Sequence, residues 1–216
     1  PAANNTKGAA VYIHPGEAGA AGIAKARAKL AALGWKLEEA DTKELYLTHR
    51  LISRKAGYDA LLALYTARRG FHRDRLMNGE DEIIAFFLEK VEPLAAAWAD
   101  QAQGATLTLL QRAGYRLDSN AGKRTAREGL DRLNALRTAA KVGEVLTHIR
   151  DARLFPLPDE LDFRLGGGKR EVDGLTPEAI EAETRDVAFY AELFAIPYHE
   201  VVAYTEFFRA HTPYAT

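Results

Sequence analysis

Apolar residues recur every three or four positions along most of this chain, with charged residues between them. This spacing places the apolar side chains on one face of a helix, so it predicts helices with one buried side. The spacing is clearest over four stretches, 42–69, 80–100, 122–150 and 177–209. We therefore predict a helical bundle in the central part of the chain.

Short apolar runs near the N-terminus follow a different pattern. Ala9–Ile13 ends at a His-Pro-Gly turn, and Trp35–Leu37 follows Gly34 at the end of an alanine-rich stretch over 17–33. Apolar runs of this length beside turn residues are typical of strands. The pattern predicts an N-terminal strand–helix–strand unit.

A second β element is predicted at 162–172. Two short runs there flank Gly166–Gly168, and Lys169 and Arg170 lie at the start of the second run. This arrangement predicts a β-hairpin with a basic tip. The fold class expected from the whole pattern is α+β, predominantly α with a small β component.

Length and composition are those of an ordinary globular chain. The 216 residues are 47% hydrophobic and 27% charged, which is enough to bury one large core. Residues 1–8 contain no core positions and are expected to form a flexible tail. We expect a single globular domain over 9–216, with a sub-boundary near 101–121.

The segment 187–204 has the spacing of a helix-turn-helix unit. Ala195 falls at a tight turn before Pro197, and apolar residues recur on both sides. This predicts a C-terminal helical corner, a unit that in DNA-binding proteins places its second helix in the major groove. The second helix here carries Glu200 and Glu206, and carboxylates repel phosphate. A structural corner or a partner-binding surface is therefore favoured over a DNA reader.

Aromatic residues are concentrated in this C-terminal segment. Aromatic side chains are enriched in protein interfaces, where they supply large contact areas. A protein partner is therefore expected to contact the last two helices. The residues expected to form that surface are Tyr198, Tyr204, Phe207 and Phe208.

Charge is segregated along the chain, although 29 basic residues nearly balance 30 acidic ones. Residues 43–75 and 112–153 each carry a net charge of +5, whereas 80–103 carries −5 and 171–206 carries −8. Such blocks create local fields. Either the opposite blocks neutralise each other within the fold, or one basic face binds an anionic partner.

Aromatic residues Tyr58, Tyr65 and Phe71 are interleaved with the basic positions. Arginine and lysine hold phosphates, and aromatic rings stack on bases. We therefore predict a non-enzymatic binding or assembly protein of bacterial type. It would bind nucleic acid or another polyanion through a basic face, and a protein partner through its acidic C-terminal helices. The residues expected to bind the anion are Arg50, Arg54, Lys55, Arg68, Arg69, Arg73, Arg75, Lys123, Arg124 and Arg127.

An enzyme acting on a phosphorylated or otherwise anionic small substrate is the alternative hypothesis. His72 lies among arginines, which would bind an anionic group and lower the pKa of the imidazole. Arg73 and Asp74 would position it as the catalytic base. This hypothesis requires a closed pocket that contains His72 and at least two arginines.

Several classes of chemistry have no signal in the chain. No cysteine is present, which excludes disulfides, thiolate metal ligands and cysteine nucleophiles. No metalloprotease, P-loop or serine-hydrolase motif occurs. We expect no metal and no cofactor. No apolar run approaches the roughly 18 residues that span a bilayer, and no signal segment is present. The chain is therefore expected to avoid membranes and to be cytoplasmic.

Overall fold

The structure is a computed structural model, and it describes residues 19–37, 49–68, 71–115, 119–171, 174 and 176–211. Most of these residues lie in helices. The one strand-like pairing among them is an isolated bridge between Lys141 and Pro197. The α+β prediction is therefore wrong, and the fold is all-α. The chain divides into two compact units, Pro1–Ile52 and Ser53–Thr216. The expectation of a single domain over 9–216 stays a prediction.

The described part of the first unit is helical at both ends. It contains α1, Gly19–Ala32, and the beginning of α2, His49–Ala56. After α1, Gly34 adopts a φ of 85°, and the Trp35 amide donates to the Leu30 carbonyl at 3.1 Å. This is the Schellman ending of a helix, which needs a residue that tolerates positive φ. The strand predicted at 35–37 is therefore wrong. The other predicted strand, Ala9–Ile13, lies outside the described residues.

The second unit continues from α2 through ten further α-helices among its described residues. One of them passes into a π-helical segment, Phe87–Val91, which separates α5 from α6. The predicted helical bundle is confirmed in this unit. The helices are α3 Asp59–Ala67, α4 His72–Asn78, α5 Glu82–Phe86, α6 Glu92–Ala99, α7 Gln103–Arg112, α8 Asn120–Ala139, α9 Val142–Asp151, α10 Asp159–Leu165, α11 Pro177–Ala195 and α12 Tyr198–His211.

The hairpin predicted at 162–172 is wrong as well. Its first half belongs to α10, and the glycines end that helix instead of turning a hairpin. Gly167 has a φ of 79°, and the Gly168 amide donates to the Phe163 carbonyl at 2.9 Å. A glycine-rich stretch after a short apolar segment fits both a hairpin turn and a helix ending, so local sequence did not separate them.

Buried charges hold the segment after α10 against α11. The Arg164 guanidinium makes two bonds to the Glu183 carboxylate, at 2.5 and 2.8 Å, and a third to Glu160 at 2.8 Å. The Arg170 amide donates to Glu183 at 2.8 Å, and its guanidinium bonds Glu160 at 2.7 Å. The Arg164 hydrogen bond is the main cause that lowers the pKa of Glu183 to about 2. The expected basic tip is therefore anchored to the fold at Arg170.

The π segment lies in one continuous run of helix with α5 and α6. Pro93 follows it closely and has no amide hydrogen to donate, which explains a local departure from α-helical bonding. The Leu88 carbonyl, in the π segment, accepts a hydrogen bond from Arg209 Nη2 at 3.2 Å. A side chain of α12 thus supplies a donor at the point where the helix backbone lacks one.

α12 is the central helix of the second unit. It packs against α3, α8, α9 and the π segment. Its buried aromatic rings contact aromatic rings from other elements: Tyr204 meets Tyr58 edge-on at 5.4 Å, and Tyr198 meets Phe87 at 5.7 Å. The helical corner between α11 and α12 is confirmed, and its second helix is a core element.

A buried polar network joins α12 to α6 and α8. The carboxylate of Glu92 is 2% exposed, and it accepts a bond from Arg137 at 2.5 Å and one from the Tyr198 hydroxyl at 2.8 Å. An unpaired buried carboxylate would be costly, so the three side chains fix each other's positions. Arg137 belongs to the basic segment 112–153, but its charge is neutralised by Glu92 inside the fold.

Two helix corners meet through their backbones. The Val142 amide donates to the Ile196 carbonyl at 2.9 Å, and the Tyr198 amide donates to the Ala140 carbonyl at 2.8 Å. Each corner interrupts helical bonding, so its amides and carbonyls need partners from elsewhere. The α8–α9 corner and the α11–α12 corner supply each other with these partners.

Glu200 of α12 caps a different helix. Its side chain is buried, and Oε2 accepts a hydrogen bond of 2.9 Å from the Leu61 amide in the first turn of α3. First-turn amides have no partner within their own helix, and a carboxylate there also suits the helix dipole. Glu200 thus links two helices that are 139 positions apart in sequence.

Among the described residues, no helix is long and apolar enough to cross a membrane. The expected cytoplasmic location stays a prediction.

We expect Glu200→Ala to lower the free energy of unfolding by about 1–3 kcal/mol, because the Leu61 amide loses its acceptor in a buried position. Glu206→Ala removes an exposed carboxylate from the same helix, and we expect a change within about 0.5 kcal/mol. Urea unfolding followed by circular dichroism measures both values. Equal losses in the two variants would contradict the capping role.

Candidate ligand cleft around His72

A cleft of about 330 Å³ lies between the end of α3, the start of α4 and the middle of α11. We call it the His72 cleft. α3 ends at Ala67, and the extended backbone of Arg68 then leads the chain away from the helix. The lining residues combine a small apolar surface with charged side chains. They are Leu64, Ala67, Arg68, His72, Ala182, Arg185, Asp186, Ala188, Phe189 and Glu192.

Arg68 is held rigidly within this cleft. Its Nη2 lies 2.6 Å from Asp186 Oδ1, and its guanidinium carbon lies 4.2 Å from the centre of the Phe189 ring. The ion pair and the ring contact together fix the plane of the guanidinium. Only one of its five N–H groups points to Asp186 in a hydrogen bond, so further donors remain for a ligand.

His72 opens α4 and is half-buried. Its Nδ1 is shielded from solvent and has no hydrogen-bond partner among the residues that the structure describes. Burial lowers the pKa of His72, and the positive charge of Arg68 lowers it further. Above that pKa the ring is neutral, and a neutral imidazole has one nitrogen that can accept a proton.

Positive and negative groups are balanced across the cleft. Arg185 is exposed and bonds Glu181, one turn earlier on α11, at 2.5 Å. Asp186 and Glu192, on the same helix as Arg185, place two carboxylates in the lining. The cleft therefore offers donors for an anionic group and acceptors for hydroxyl or amino groups of the same ligand.

The structure places only part of the expected catalytic trio in the cleft. His72 lines the cleft, whereas Arg73 and Asp74 are exposed and are not part of the lining. Arg73 Nε lies 3.7 Å from Asp74 Oδ1. The arginines that line the cleft with His72 are Arg68, from the predicted basic set, and Arg185, which the sequence reasoning missed. A sequence signal was available, because Arg185 is the one lysine or arginine within the acidic segment 171–206.

The expected anion-binding residues are distributed over several helices. Arg54, Lys55, Arg73 and Arg75 are exposed in the second unit, Arg50 belongs to the first unit, and Arg69 lies outside the described residues. On α8, Lys123, Arg124 and Arg127 are exposed. α3 packs against α4, α11 and α12, whereas α8 packs against α6, α9 and α12. α4, which carries Arg73 and Arg75, packs mainly against α3, so the two basic groups lie on helices with different packing neighbours.

The aromatic rings expected to stack on bases have different surroundings. Tyr58 and Tyr65 are fully buried, and the Tyr65 hydroxyl donates to Asp81 at 2.8 Å. Phe71, beside His72, is 81% exposed. Only Phe71 of these three is therefore accessible to a base.

The expected partner surface also divides into buried and accessible residues. Tyr198 and Tyr204 lie in the core, at 0% and 1% exposure. Phe207 and Phe208 are partly exposed and pack against the edge of the same core. A partner that meets α12 would contact this second pair, because the two tyrosines are covered by neighbouring helices.

Within the described ranges, no group of three or more histidine, aspartate or glutamate side chains could hold a metal ion. The chain matches no protein-family model, no curated protein and no solved structure.

We expect the pKa of His72 in the folded chain to lie below 6.5, and Arg68→Met to raise it. The substitution removes a like charge and leaves the Asp186 carboxylate unpaired near the ring, and both changes favour the imidazolium. The histidine Cε1–H chemical shifts, followed by NMR against pH, measure the value. Arg73→Met is the matched control and should leave the His72 titration in place. A His72 pKa at or above 6.5 in the unsubstituted chain would contradict the described environment.

Proposed function

We propose that the Ser53–Thr216 unit binds a small anionic substrate in the His72 cleft and that His72 accepts a proton from it. The observation that carries the proposal is the meeting of His72 with two arginines in one cleft. The hypothesis of an enzyme acting on an anionic small molecule required a closed pocket with His72 and at least two arginines, and this cleft supplies those residues in a partly open form. The basic face, by contrast, is divided between helices with different packing neighbours.

Arg68 and Arg185 would hold the anionic group. A guanidinium presents several N–H groups in one plane, which matches the oxygen atoms of a carboxylate or phosphate. Arg68 is already fixed by Asp186 and Phe189, so little side-chain freedom would be lost when a ligand binds. Arg185 is more exposed and would close on the ligand from the rim.

His72 would act on a proton of the bound molecule. Its lowered pKa keeps the imidazole neutral near pH 7, which is the form that accepts a proton. An anion bound beside the ring would raise the pKa of His72, because opposite charges favour the imidazolium. Binding of the anion and uptake of a proton by His72 are therefore coupled.

Titration of the full chain with inorganic phosphate and with glycerol 3-phosphate tests the cleft, with glycerol as the uncharged control. We expect both anions, but not glycerol, to shift the His72 Cε1–H resonance. Arg68→Met and Arg185→Met should each weaken binding about tenfold, since each removes charge-assisted hydrogen bonds. Arg153→Met, an exposed substitution outside the cleft, should leave it unchanged.

Calorimetry near pH 6 in buffers of different ionisation enthalpy measures the coupled proton. We expect binding of sulfate, an anion that does not itself titrate near this pH, to take up a proton in the unsubstituted chain and to lose that uptake in His72→Gln. An unshifted His72 resonance, or arginine variants that bind as tightly as the unsubstituted chain, would overturn the proposal.

Polyanion binding is a second candidate, supported by the first half of α8. Lys123 and Arg124 are exposed and have no ion pair among the described residues. Arg127 Nε lies 3.8 Å from Asp131 Oδ2. The first turn of α8 has no acidic residue, so the positive end of the helix dipole adds to these charges. Lysine and arginine in this setting attract phosphate groups irrespective of sequence.

Fluorescence anisotropy of a labelled single-stranded oligonucleotide tests the second candidate. We expect binding at low salt that weakens steeply as salt rises, and a double substitution Lys123→Glu with Arg124→Glu that abolishes it. Arg153→Glu with Lys169→Glu changes the net charge equally and should retain most of the binding. Absence of salt-dependent binding in the unsubstituted chain would reject this candidate.

A further inference from the structure

We infer that a second cleft, formed mainly by α8 and α9, binds a small zwitterion of the amino-acid or dipeptide type. This cleft has a volume of about 570 Å³ and is bordered also by the ends of α10 and α11. We call it the His148 cleft. The inference does not depend on the proposed role of the His72 cleft, because the two clefts share no lining residue.

One wall of the His148 cleft carries hydrogen-bond acceptors. Glu144, His148 and Asp151 stand at positions i, i+4 and i+7 of α9, which places them on one helix face. The Glu144 Oε2 atom accepts from the Lys141 amide at 2.8 Å, which leaves its other oxygen for a ligand. Asp151 Oδ1 lies 3.4 Å from Arg150 Nε, so Asp151 Oδ2 and the remaining Glu144 oxygen are the acceptors that would favour a cationic group such as an ammonium.

The imidazole of His148 has a defined orientation on that wall. Its Nε2 lies 2.8 Å from the Gly129 carbonyl, which can only accept a hydrogen bond. Nε2 therefore carries the hydrogen, and in the neutral ring Nδ1 is an acceptor. No described group of three such residues could hold a metal ion, so we assign these acceptors to the N–H donors of a ligand.

Positive charge lines the cleft as well. Arg132 lies on α8 and Lys141 at the α8–α9 corner, and both side chains are exposed and line the cleft. Arg132 has no ion pair among the described residues, so its planar donors remain for a carboxylate. A cleft that contains both acceptors and cations is complementary to a molecule that carries both an ammonium and a carboxylate.

The floor of the cleft is apolar. Leu136, Leu165 and Phe194 contribute partly buried side chains from three different helices. Gly143 brings α9 so close to α11 that an added Cβ would lie 3.0 Å from Phe194 Cβ, so this end of the floor is tightly packed. The volume lies within the range of about 300–1,000 Å³ that small-molecule sites have. An apolar ligand side chain would cover this floor.

Isothermal titration of the full chain with L-phenylalanine tests the inference, and two matched probes each lack one charge. 2-Phenylethylamine has no carboxylate, and 3-phenylpropanoate has no ammonium. We expect L-phenylalanine to bind at least about tenfold more tightly than either, because each missing group forfeits charge-assisted hydrogen bonds. Glycyl-L-phenylalanine, titrated in parallel, distinguishes a free amino acid from a peptide.

Substitutions locate the binding and separate its two halves. Arg132→Ala should weaken L-phenylalanine binding and remove the preference over 2-phenylethylamine. Asp151→Asn should weaken it and remove the preference over 3-phenylpropanoate. Arg124→Ala, outside the cleft on the same helix, and Arg68→Met, in the His72 cleft, should leave it intact. No saturable binding of either zwitterion, or equal binding of the singly charged probes, would overturn the inference.

Discussion

The exchange of two backbone hydrogen bonds between helix corners is the constraint on which the rest of the second unit depends. It fixes the start of α12 against the α8–α9 corner through Ala140, Val142, Ile196 and Tyr198. With α12 placed in this way, the Tyr198 hydroxyl reaches the buried carboxylate of α6, and Glu200 reaches the first turn of α3. α3 in turn ends beside α11, where the His72 cleft forms. The position of the cleft therefore follows from hydrogen bonds made on the other side of α12.

Several carboxylates of the two acidic segments are buried, which lowers the negative charge that these segments present at the surface. Glu92, Glu183 and Glu200 are each less than one-tenth exposed, and each accepts hydrogen bonds from a guanidinium, a hydroxyl or a backbone amide. Arginines neutralise Glu92 and Glu183 where they stand, so the sums over 80–103 and 171–206 overstate the field outside the molecule. The same reasoning applies to Arg137, whose charge is neutralised by Glu92. The segregated charges of the sequence therefore include residues that pair inside the fold, as well as residues at the surface.

Sequence periodicity predicted most of the helices of the second unit, but not α4, α10 or the all-α class. The hairpin error has a physical cause, because a glycine such as Gly167 that ends a helix resembles a glycine that turns a hairpin. The cleft could be predicted in part, because the local sequence pointed to His72 as a titratable group beside arginines. It could not place Asp186 beside Arg68, since that contact depends on how segments 118 positions apart pack together.

The π segment at Phe87–Val91 has a consequence for how this chain can change in length. A π turn is an α-helix with one additional residue, so the rod from α5 to α6 contains an insertion that a regular helix would not need. Deletion of one residue there would restore regular α-helical geometry and leave α6 in the same rotation relative to α5, whereas deletion of a residue from a regular stretch of helix would rotate everything that follows by about 100°. Glu92 would lose its partners in the second case but keep them in the first. The irregular turn is therefore the point at which this helix can lose one residue while the rest of the bundle keeps its assembly.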